Sequence, residues 1–166
     1  MYRLNLFLPW IFLGFVALIA YGIDQFVIID SKITKMYQLE ERESLLNIVS
    51  DEKWNWYQRS AALEMAFAIR CQVEDPWIQR VINSSNINFR QSLMKGCLRK
   101  PPNQIPSNLI EQLLQDRYSY IKYRTIQYIQ NHKLVERYRS SIIKLRKDPS
   151  SMVSNLAKNI SLSSSE

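Results

Sequence analysis

The chain has 166 residues, with 22 Lys and Arg against 15 Asp and Glu and a formal net charge of +7. Only three glycines occur, Gly14, Gly22 and Gly96. That is too few for an all-β sheet protein with many tight turns, and abundant Leu, Ile, Glu, Lys, Arg and Gln favour helix. A single histidine and the sparse glycines also leave no two-His metal motif, no Gly-rich phosphate loop and no G-x-S-x-G elbow.

Residues Leu4 to Ile23 contain no charged side chain. A helix of that length covers about 30 Å, the hydrocarbon thickness of a bilayer. The run exceeds the apolar region of a cleaved signal peptide, and Tyr21 and Ile23 interrupt the small residues Ala17, Ala20 and Gly22. Pro9 falls in the first turn, and Trp10 and Tyr21 lie near the two ends. The expectation is a transmembrane anchor over 1–25, an α-helical body over 26–148 and a flexible Ser-rich tail over 149–166. Lys32 and Lys35 lie well beyond the span, which leaves Arg3 on the inner side and the body outside the cytoplasm.

Beyond the anchor, Ile33, Met36, Tyr37, Leu45, Ile48 and Val49 predict a helix over 26–50 that continues from the bilayer. Ser50 or Asp51 is expected to cap a second helix running from Glu52 to Val73, with Trp56, Ala62, Leu63, Ala66, Ile69 and Val73 on its buried stripe. Glu74-Asp75-Pro76 ends it, because proline disfavours helix at the preceding residue. Trp77, Ile78, Val81 and Ile82 predict a short helix, Asn83-Ser84-Ser85-Asn86 a turn, and Phe89, Leu93, Met94 and Leu98 another short helix. After the proline-rich stretch Lys100–Pro106, Ser107 reads as an N-cap. A long helix then extends to Lys147, since Leu114, Ile121, Tyr128, Val135 and Ile142 recur every seven residues. Such a repeat implies coiled-coil or bundle packing.

Little in the sequence converges for catalysis. Glu40 and Glu43 share a helix face in this reading, but a solvated acidic face is far commoner than an acid–base pair. His132 sits between the repeat positions and reads as structural. No cofactor and no metal site is expected. Cys71 and Cys97 are the only cysteines; neither belongs to a C-x-x-C pair, and they are a disulfide candidate in an oxidising compartment. Trp54, Trp56, Tyr57, Phe67 and Trp77 form an aromatic group suited to core packing or to an interaction surface. Residues 24–80 carry seven Lys/Arg against ten Asp/Glu, whereas 81–148 carry thirteen against four. The two halves either pair their faces or leave a basic surface for an anionic partner. Arg117, Lys122, Arg124, Arg137 and Arg139 are the candidate contacts on that surface. Nothing matches a zinc, RNP-type or basic-region pattern, so nucleic acid is disfavoured.

Several segments resemble the LemA family. Glu41-Arg42-Glu43-Ser44-Leu45-Leu46-Asn47-Ile48-Val49 is similar to that family's run into D-L-I-P-N-L-V, with Leu46 in place of its proline. Leu63-Glu64, Arg70 and Val73 fall at the spacing of its next helix. Val135-Glu136-Arg137-Tyr138 resembles its V-x-x-Y step, and Pro149-Ser150-Ser151-Met152-Val153 its terminal P-S-N-L-V. Asn131, His132 and Arg139 depart from its tyrosine–asparagine pairs. The resemblance implies a bacterial, membrane-anchored antiparallel bundle with no established catalytic residues. Combined with the residue reading, it gives an all-α protein with two long antiparallel helices, over 26–73 and 107–147. The expected function is that of a non-catalytic scaffold or interaction subunit of a bacterial envelope complex. The expected location is the inner membrane, single-pass, with a periplasmic body and membrane or envelope proteins as partners. No small-molecule substrate is evident. A spanin-like envelope-bridging protein of phage, or binding of anionic lipid or nucleic acid through residues 81–148, are the alternatives.

Overall fold

A computed structural model describes residues 31–72 and 75–160, and the regular structure among them is helical throughout. Residues 31–38 form α1. It is followed by α2 (Arg42–Ser50), α3 (Trp56–Ile69), α4 (Pro76–Ile82) and α5 (Ile87–Cys97). A 3-10 turn at Pro102–Gln104 leads to α6 (Ser107–Leu114), α7 (Ser119–Asn131), α8 (Arg139–Leu145) and α9 (Ser151–Asn159). The all-α expectation therefore holds.

The expected location does not. Among the described residues no helix is long and apolar enough to cross a membrane, which overturns the single-pass inner-membrane protein with a periplasmic body. The segment 4–23, on which that expectation rested, lies outside the described residues.

The long helices are also corrected. Instead of running unbroken through 26–50, the chain turns at Leu39–Glu40, where Glu40 adopts a φ of 56°. The second helix starts at Trp56 rather than Glu52. Asn55 makes a reciprocal capping box, its Oδ1 accepting from the Gln58 amide (3.0 Å) while Gln58 Oε1 accepts from the Asn55 amide (3.1 Å). That arrangement satisfies two of the free N–H groups at a helix start, and neither Ser50 nor Asp51 supplies it. Asp75 caps α4 through the Trp77 amide (3.0 Å) and ion-pairs with Arg42, tying α2 to α4. Burial pulls the Arg42 guanidinium below its ordinary pKa.

The predicted helix over 107–147 is three helices. Pro106, not Ser107, occupies the cap position of α6. The first interruption centres on Asp116. Its Oδ1 accepts from the Tyr118 amide at 2.7 Å, and Arg90 binds it through Nε (2.9 Å) and Nη2 (3.4 Å). Arg90 is 4% exposed, and its Nη1 also donates to the Ser84 carbonyl at 2.7 Å. The second interruption follows His132, where Lys133 takes a φ of 57°. Yet Leu114, Ile121, Tyr128 and Ile142 are all buried, with Val135 packed against the same core. The seven-residue spacing thus marks core positions on successive short helices.

Nor is the segment after Pro149 a structureless tail up to residue 160. Val153, Ala157 and Ile160 of and beside α9 are buried. Asp148 accepts from the Ser150 amide (2.9 Å) and ion-pairs with Lys122 of α7. Arg146 donates to the carbonyls of Ala157 (3.3 Å) and Ile160 (3.1 Å), satisfying acceptors at the end of α9. Residues 161–166 lie outside the described residues.

Two groups of helices share one core. In the first, α3 packs against α2 and α5, and α4 covers α5; in the second, α7 packs against α6 and α9, and α8 against α9. The groups meet where α5 touches α7. Gly96 is buried in α5. A Cβ there would meet the Glu64 carbonyl oxygen and, at 2.8 Å, the Phe67 Cβ, so the close approach of α5 to α3 requires glycine. Cys71 and Cys97 are joined as a disulfide with a Cα–Cα distance of 5.7 Å, linking the chain just past α3 to the end of α5.

Candidate functional site

Two surfaces stand out. The first is the start of α3. Trp56 and Tyr57 occupy the first turn, between the two partners of the Asn55–Gln58 capping box, and Gln58 is itself buried. The backbone under both rings is therefore fixed. Trp56 is 61% exposed and Tyr57 44% exposed, and their rings meet edge to face at 6.0 Å. Large rings held in water on a fixed turn are the kind of group that dominates protein interfaces.

The other aromatic residues go elsewhere. Trp54 is half-buried beneath the Lys32 ammonium, 5.5 Å from its ring centre. Phe67 is fully buried in the core. Trp77 packs against the core on α4, with the Arg80 guanidinium 5.1 Å from its ring centre. The structure thus brings Trp56 and Tyr57 together in the exposed pair, while Phe67 and Trp77 serve packing.

The second surface is a cleft of about 740 Å³ where α5 meets α7. From the α5 side come Lys95, Leu98 and Arg99; from α7 come Arg124, Gln127, Tyr128, Gln130 and Asn131, followed by His132. Its floor is rigid. Met94 is 1% exposed, and Tyr128 is buried with its hydroxyl donating to the Lys100 carbonyl at 2.8 Å. Burial, with a smaller contribution from Tyr138, pushes the Tyr128 phenol up to about 12. The phenol therefore stays a neutral donor at physiological pH. The His132 ring lies 4.3 Å from that of Tyr128, tilted by 44°. Arg99 ion-pairs with Glu64 of α3, the acid in the cleft lining.

Of the five basic residues singled out from the sequence, Arg124 lies in this cleft. The others are distributed. Arg117 donates to the Ser84 carbonyl at 3.2 Å, and Lys122 pairs with Asp148. Arg137 lies over the Tyr138 ring at 5.7 Å, and Arg139 pairs with Glu136 at 3.4 Å. Sequence reading missed Lys95, Arg99 and His132 as members of one site. The available signal was local: Arg124, Gln127 and Asn131 are spaced by three and four on one face of α7, whereas Arg99 lies past the end of α5.

Glu40 and Glu43 do not share a helix, since the turn at Glu40 separates α1 from α2, and the Glu43 side chain is 83% exposed beside Arg42. Among the described residues no group of three or more His, Cys, Asp or Glu could hold a metal ion. Compared with known proteins, the chain matches no family model, no curated protein and no solved structure.

Proposed function

We propose that the chain is a non-catalytic interaction subunit, an all-helical module that docks a partner protein through Trp56 and Tyr57. The observation that carries this reading is the 61% exposure of Trp56 on a turn locked by the Asn55–Gln58 capping box. A tryptophan whose backbone is already fixed loses little further freedom on binding, so the burial of its ring goes largely into affinity. The likeness to the LemA family points the same way, because that family has no established catalytic residues.

The test replaces Trp56 with photoreactive benzoylphenylalanine in the producing cells, with a control chain carrying it at exposed Lys144 on α8. The expected result is a discrete adduct with one protein from position 56 and none with that protein from position 144. Mass spectrometry then identifies the adduct, and Trp56→Ala with Tyr57→Ala abolishes co-purification of that protein. Equal adducts from both positions, or undiminished co-purification with the double variant, overturn the reading.

A further inference from the structure

We infer that the cleft between α5 and α7 binds a small molecule carrying a phosphate group, gripped by Lys95, Arg99 and Arg124. Charge is the first reason. The lining holds three bases and one acid, Glu64, which pairs with Arg99. Lys95 and Arg124 have no ion pair among the described residues. Lys95 lies in the last turn of α5 and Arg99 just past its end, so both bases reach the cleft from the same end of that helix. Cations collected on the walls of one cleft also raise the local concentration of anions there.

Construction is the second reason. The backbone beneath Lys95 is held by its neighbours: Gly96 abuts α3, and Cys97 is bridged to Cys71. Arg124 rises from α7 one turn before buried Tyr128. Lys95 and Arg124 therefore stand on two helices that pack together, so little backbone order has to be gained on binding. Guanidinium groups offer paired N–H donors to phosphate oxygens, and Gln130 and Asn131 add amide groups from the same wall.

Size and distribution choose among anions. A cleft of about 740 Å³ falls in the range of small-molecule sites. A nucleic-acid backbone needs a continuous basic track, whereas Lys122 and Arg139 are paired with acids and Arg117 is turned to the Ser84 carbonyl. This inference is independent of docking through Trp56, which sits on the opening turn of α3 and takes no part in lining the cleft.

The test titrates the full-length chain with inorganic pyrophosphate, by calorimetry and by NMR of the arginine side-chain N–H groups. The expected result is saturable binding that shifts the Arg124 resonance. Lys95→Gln with Arg124→Gln weakens it by about tenfold or more, as expected for loss of charge-assisted contacts. Arg137→Gln with Lys144→Gln changes it by less than about twofold, since those bases lie outside the cleft. Melting curves confirm folding, and the two cleft single variants serve if the double variant unfolds. Binding that fails to saturate, that survives the cleft double variant, or that falls equally in the outer pair overturns the inference. Oligouridylate that displaces pyrophosphate and is weakened equally by both double variants also overturns it, in favour of a diffuse nucleic-acid surface.

Discussion

Asp116 shows how a single carboxylate redirects the chain. Read locally, 107–147 is good helix with an unbroken seven-residue repeat. The structure stops that helix because Asp116, 8% exposed at its side chain, is needed by Arg90 and by the Tyr118 amide at once. Arg90 is 26 positions earlier, so no local window contains the reason for the break. Asp116→Ala leaves a buried guanidinium without its counter-charge and is expected to cost about 3–5 kcal/mol. Urea denaturation at neutral pH measures it, and a loss below about 1 kcal/mol would show that water replaces the carboxylate readily. Asn55 illustrates the same difficulty in milder form. Ser50 and Asp51 are equally good capping residues by composition, and only the pairing with Gln58 selects Asn55.

At the scale of elements, the short helices were the legible ones. Asp75-Pro76 supplies both a cap and a rigid first turn, and Asn86 caps α5 through the Asn88 amide at 2.9 Å. Such signals lie within a few residues of the helix that they start. The closing helix was hidden by its serines, although Val153, Ala157 and Ile160 keep the spacing of an apolar stripe. The cleft was half legible. Arg124, Gln127 and Asn131 follow helical spacing within α7, but their meeting with Lys95 and Arg99 depends on tertiary packing that periodicity does not encode. Gly96 lies in close contact with α3. Gly96→Ala forces α5 away from Glu64 and Phe67 and is expected to destabilise by about 1–3 kcal/mol despite the better helix propensity of alanine. Thermal unfolding tests this, and a rise in melting temperature would refute the close-contact argument.

For the molecule as a whole, the Cys71–Cys97 bridge closes the region around α4 and α5 onto the end of α3. The sequence offers these two cysteines only as a candidate pair, and the packing of α3 beside α5 supplies the geometric basis for the bridge. Cys71→Ser with Cys97→Ser is expected to lower stability by about 3 kcal/mol through greater freedom of the unfolded chain. Denaturation midpoints of the oxidised wild type, the reduced wild type and the double variant check this; coincident midpoints would remove the bridge as a stabilising element. Arg42 with Asp75 closes an ion pair inside the acidic half and Lys122 with Asp148 one inside the basic half, while Arg99 with Glu64 spans the two.

The placing of α9 against α7 and α8, with Arg146 bound to its last carbonyls, bears on how the chain is made. Because α6 to α8 leave the ribosome ahead of residues 151–160, they emerge without the apolar stripe that completes their shared interior. The first four-helix group can therefore settle during translation, whereas the second has to wait until Ile160 clears the exit tunnel.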